Sequence, residues 1–122
     1  MTAYELTDLM FSAINGAVAV NGLIFTLISG YLIVAWTIGE KLTRSQVTMV
    51  NLLFLSSAPM TEWGWLGRYL MALDLQNRLI ELEPQTAERV SMYVILGHPF
   101  VMSILIIGSM KFMWDIRHPK TK

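Results

Sequence analysis

Four polar side chains in a strongly apolar chain have the potential for chemistry: Asn21, Glu62, Arg68 and His98. A carboxylate beside an imidazole can hold and pass a proton, because histidine is the side chain whose ordinary charge change falls between pH 5 and 8. Inside a bilayer such groups are costly, face the bundle interior, and mark a proton, ion or ligand pathway by default. Glu62 stands in "SSAPMTEWGWLGRYL", and His98 in "ILGHPF". Each has a proline close by. Pro59 and Pro99 remove the helix hydrogen bonds to the carbonyls of Leu55 and Ile95, so both are expected kinks. Irregular backbone at this depth is tolerated where it is packed in protein or lines a wet cavity.

The elements that must position these groups are three apolar blocks in a 122-residue chain that is 54% hydrophobic and 15% charged. Soluble domains average about 25% charged residues. The first block, Ile14 to Ile38, carries no charge. The second starts after Arg44 and runs into the Glu62 stretch, and the third is Val90 to Met110. About 20 apolar residues cross a ~30 Å hydrocarbon core, and lipid-exposed strands would leave backbone groups unsatisfied. The fold class is therefore all-α: a single domain of three long transmembrane helices in an up-down-up bundle. Capping boxes at Thr2/Glu5 and Thr43/Gln46 and a helix-opening Pro84 extend these helices to about 3–38, 44–82 and 85–116. Their outer ends then pass beyond the bilayer.

Basic residues set the orientation. Lys41, Arg44, Lys111, Arg117, Lys120 and Lys122 fall at one end, expected to be cytoplasmic. The N-terminus, with Glu5 and Asp8 and no early Lys or Arg, is expected outside and is not a cleaved secretory signal. A bacterial inner membrane is the expected setting. Counting about 20 residues out from Arg44 reaches Gly64. Trp63 and Trp65 then form an outer aromatic belt level with Tyr93, while Trp36 and Trp114 form an inner one. On that count Glu62 is a headgroup-level carboxylate, paired at most with Arg68. A strongly tilted second helix would bring it deeper. His98 lies about 12 Å inward from Val90 at helical rise and must find a hydrogen-bond partner inside the bundle.

Asn15, Gly22, Thr26 and Gly30 fall on one narrow stripe of the first helix, the kind of small-residue surface by which membrane helices approach closely. Nine Lys and Arg balance nine Asp and Glu, so no basic field for nucleic acid exists. Without cysteine there is no disulfide or thiolate chemistry. P-loop, GxSxG, HExxH and Rossmann motifs are absent. One intramembrane histidine is too few for a bis-histidine haem within one chain, and no metal or cofactor is expected. The reading is a small non-enzymatic integral membrane protein whose partners are the lipid bilayer and either further copies of itself, as a homo-oligomer, or a membrane complex in which it is a helical subunit. The alternative is an oligomeric channel or small transporter with a proton- or cation-responsive site at Glu62 and His98. A redox or lipid enzyme built on His98 is a more distant third.

Overall fold

The computed structural model describes residues 2–85 and 93–119. Three α-helices follow one another: α1 (Ala3–Ile38), α2 (Arg44–Leu82) and α3 (Tyr93–Arg117), with a 3-10 turn, Gly39–Lys41, between the first two. No strand occurs among the described residues. Two capping boxes start α1 and α2. The Thr2 hydroxyl accepts from Glu5 N–H at 3.2 Å, and the Glu5 carboxylate accepts from Thr2 N–H at 2.9 Å. Thr43 and Gln46 repeat the pattern at 3.2 and 2.9 Å. Each box satisfies donors that a helix N-terminus otherwise leaves orphaned. Pro84 and Gln85 depart from the expectation, since they form a turn rather than opening the third helix. The rest of the predicted start of that helix, 86–92, lies outside the described residues.

At 1.5 Å per residue, the 36 residues of α1 span about 54 Å and the 39 of α2 about 58 Å. In their most apolar stretches, Ala3–Lys41 and Tyr93–Arg117 reach mean hydropathies of 2.0 and 1.8, and both are long and apolar enough to cross a membrane. Those are the two candidate spans. α2 is more polar because Asn51, Ser56, Ser57, Pro59, Thr61 and Glu62 interrupt its apolar run.

α1 and α2 pair antiparallel. Leu6, Met10 and Ala13 meet Ala72, Leu75 and Leu79 at one end. Farther along, the Tyr31 hydroxyl donates to Asn51 Oδ1 at 2.7 Å, and the Tyr31 ring stacks on Phe54 at 4.2 Å. α3 runs back beside them and adds Met102, Ile106 and Met113 to the core. Its last residue ties the far end of the bundle. Arg117 Nη1 donates to the carbonyls of Gly39 and Leu42 at 2.9 and 2.6 Å, satisfying acceptors where α1 gives way to the turn.

Close approach along the α1–α2 seam comes from alanines. Ala13, Ala17 and Ala35 on α1 and Ala58 and Ala72 on α2 are all buried. The predicted packing stripe is elsewhere. Asn15, Gly22, Thr26 and Gly30 are exposed, a side chain added at Gly22 or Gly30 would meet nothing within 4 Å, and Thr26 turns its hydroxyl back to the Gly22 carbonyl. At 3.6 residues per turn the stripe sits roughly 170° around α1 from the buried alanines. Within one chain it packs nothing.

Candidate functional site

The site forms where α1, α2 and α3 meet, about midway along α1. His98, one residue before Pro99 on α3, is the centre. Its Nδ1 lies 2.7 Å from Glu62 Oε1 of α2, and its Nε2 lies 2.6 Å from Asn21 Oδ1 of α1. One imidazole thus joins all three helices. Trp65 of α2 lies flat against the ring, with centroids 3.7 Å apart and planes 7° from parallel, and stacks on Tyr69 in turn. Only 14% of the His98 and Glu62 side chains is exposed.

Each ring nitrogen of His98 has a polar partner, a carboxylate oxygen on one side and an amide on the other, so the imidazole is fully engaged between two helices. Glu62 Oε2 is buried without a hydrogen-bond partner among the described residues. A buried orphan acceptor costs about 1–3 kcal/mol. The cluster is a chain of polar contacts that ties the three helices together.

A groove of about 410 Å³ between α2 and α3 reaches Glu62, with Pro59, Trp63, Pro99, Met102 and Ser103 among its walls. Both prolines are inside continuous helices. The donors they lack fall at the level of this groove, and nearby hydroxyls turn inward to the backbone: Thr61 to Ser57 O and Ser103 to Pro99 O, both at 2.7 Å.

Three of the four predicted polar residues are brought together. Arg68 is not, because six residues along a helix turn it about 240° away from Glu62. It is exposed, and its guanidinium lies over Gly16 of α1, where an added Cβ would come within 2.7 Å of Nη1. The Glu62 carboxylate faces the bundle interior, towards His98. Trp65 corrects the belt assignment: it is 4% exposed and belongs to the core, whereas Trp63 is 77% exposed. Sequence reasoning missed Trp65, Gly16, Tyr31 and Arg117 as interhelical contacts. A signal existed for Trp65, which lies three residues after Glu62 and so on nearly the same face of α2.

Among the described residues no three His, Cys, Asp or Glu side chains converge in a way that could hold a metal ion. No protein-family model, no curated protein and no solved structure matches this chain.

Proposed function

We propose that this chain is a three-span integral membrane protein without catalytic chemistry, acting as a self-associating unit or a helical subunit of a membrane complex. In it the Glu62–His98–Asn21 chain is a proton-sensitive lock between the helices. The observation that carries this reading is the single imidazole bridging α1 and α2 from α3. Because both contacts are made by ring nitrogens, gaining or losing a proton there changes the bonds that hold α3. The basic end, with Lys41, Arg44 and Arg117, faces the cytoplasm, and the N-terminus lies outside, in a bacterial inner membrane.

The chain has no cysteine, which makes spin labelling specific. Leu23 and Leu96 are exposed on α1 and α3 and accept labels without touching the core. Between pH 5 and 8 their separation should change by several ångströms in the otherwise native chain, and should stay constant when Glu62→Gln and His98→Leu are combined. A separation independent of pH in the native background contradicts the lock.

Self-association is supported by the exposed stripe of Asn15, Gly22, Thr26 and Gly30, which is open to a helix from outside. Gly22→Leu with Gly30→Leu should reduce the oligomer seen by light scattering while helicity is retained, because both positions face open space. An unchanged oligomeric size counts against the stripe.

The unpartnered Glu62 Oε2 and the groove reaching that residue favour one second reading, a proton- or cation-conducting oligomer. In that case liposomes should show ion flux between pH 5 and 8, reduced at least tenfold by Glu62→Gln. Sealed, protein-loaded liposomes without flux leave the subunit reading standing and remove this one.

A further inference from the structure

A second polar pocket lies at the opposite end of the α2–α3 seam from Glu62. It encloses about 430 Å³ and is walled by Arg44, Thr48 and Asn51 of α2, Trp114 and Arg117 of α3, and His118 just beyond it. No carboxylate among the described residues lines it. Asp115 is engaged with Lys111 at 2.7 Å, and Glu40 lines a separate pocket with Lys41. The positive charge of Arg44 and Arg117 is thus not neutralised by any carboxylate in the pocket wall.

Donors remain available there. Arg117 spends Nη1 on Gly39 and Leu42, which fixes the guanidinium in place and leaves its other N–H groups. Asn51 accepts from Tyr31 through Oδ1, so its amide nitrogen still has two hydrogens to donate. His118 is oriented by the bond of its Nδ1 to Trp114 O at 3.0 Å and by stacking on the Trp114 ring at 3.9 Å. The floor, by contrast, is apolar, formed by Met110 and Met113.

A second, separate groove lies farther along the same seam. Met110 and Met113 share a face of α3 with Pro99, Met102 and Ile106, which wall the groove beside Glu62. From Met110 to Pro99 is roughly 16 Å at helical rise, comparable to a phospholipid acyl chain. Basic and amide side chains set beside Val47, Met110 and Met113 match a charged head with an attached chain better than they match a free anion.

We propose that this pocket is a binding site for an anionic phospholipid, with the phosphodiester between Arg44, Arg117 and His118 and an acyl chain leaving past Met110 along the outside of the α2–α3 seam. Basic pockets between membrane helices on the cytoplasmic side recognise such head groups by charge. The site rests on the membrane reading given above.

The test uses the full chain, purified in detergent, depleted of lipid, and titrated with phosphatidylglycerol or phosphatidylcholine under native mass spectrometry. Phosphatidylglycerol should be retained at least tenfold better, because its head carries the net negative charge that the basic groups attract. Arg44→Gln with His118→Gln should abolish the preference without changing helicity, since both side chains are exposed. Equal retention of the two lipids, or a preference that survives both substitutions, overturns the proposal. Displacement by millimolar inorganic phosphate, or equal binding of a deacylated glycerophosphodiester, shows a free-anion site and overturns the lipid assignment. The membrane reading fails separately, through release of the protein from membranes by alkaline carbonate.

Discussion

Replacing His98 with leucine should destabilise the bundle by about 3 kcal/mol, read as a drop of roughly 10 °C in the thermal unfolding midpoint in detergent. The substitution leaves the Glu62 carboxylate buried with neither oxygen paired, and Asn21 without its partner. Removing one member of a buried ionic pair costs about 3–5 kcal/mol, because the remaining charge is uncompensated. Ordinary interhelical hydrogen bonds in membranes are worth less, about 0.6 kcal/mol on average. The orphaned charge therefore dominates the expected loss, with the stacked Trp65 ring adding to it. Combining His98→Leu with Glu62→Leu removes that charge as well, so the double variant should be more stable than the single one. If the two losses simply add, Glu62 and His98 are not coupled as a charged pair.

Arg117→Met should cost about 2–3 kcal/mol and loosen the turn between α1 and α2. One guanidinium nitrogen serves the carbonyls of both Gly39 and Leu42, and a hydrogen bond from a charged donor contributes about 1.5–3 kcal/mol. Because both bonds share Nη1, their contributions do not double. Hydrogen exchange should report the loss locally, as faster exchange across 39–43 and the last turn of α3, with the Glu62–His98 region protected as before. Arg117→Lys should restore only part of the protection, since an ammonium keeps the charge but not the planar fork that fixes the side chain. Unchanged exchange across the turn in Arg117→Met would show that water replaces the guanidinium without penalty. The stability loss here is smaller than at His98 because this end of the bundle is more accessible to solvent.

The two sites differ in how far they were legible. Asn21, Glu62 and His98 stood out because polar groups are rare in long apolar helices and must find one another there. Arg68 looked like a fourth member by proximity in sequence, but its angular position on α2 excludes it. Trp63 and Trp65 illustrate the same point. They are chemically identical and two residues apart, yet one is 77% and the other 4% exposed, since a step of two residues turns a helix by about 200°. A belt argument that used only depth along the axis could not separate them. The small-residue stripe shows the same dependence on rotation about the axis. α1 carries two small-residue faces, one with Gly22 and Gly30 and one with Ala13, Ala17 and Ala35, and either suits close packing. α2 packs on the alanine face, where the alanines of both helices meet.

What the chain determined by itself is what depends on neighbours three or four residues away. The capping boxes at Thr2 and Thr43, the continuous helices that follow them, the 2.0 and 1.8 hydropathy of α1 and α3, and the scarcity of polar side chains in the apolar runs all belong here. What only the tertiary structure decided is which side chains touch across helices: His98 with both Glu62 and Asn21, Trp65 against the imidazole, and Arg117 on the turn. Those pairings depend on the rotation of each helix about its axis and its height beside its neighbours. Both are set by many small contacts along the seams, and no short stretch of sequence contains them.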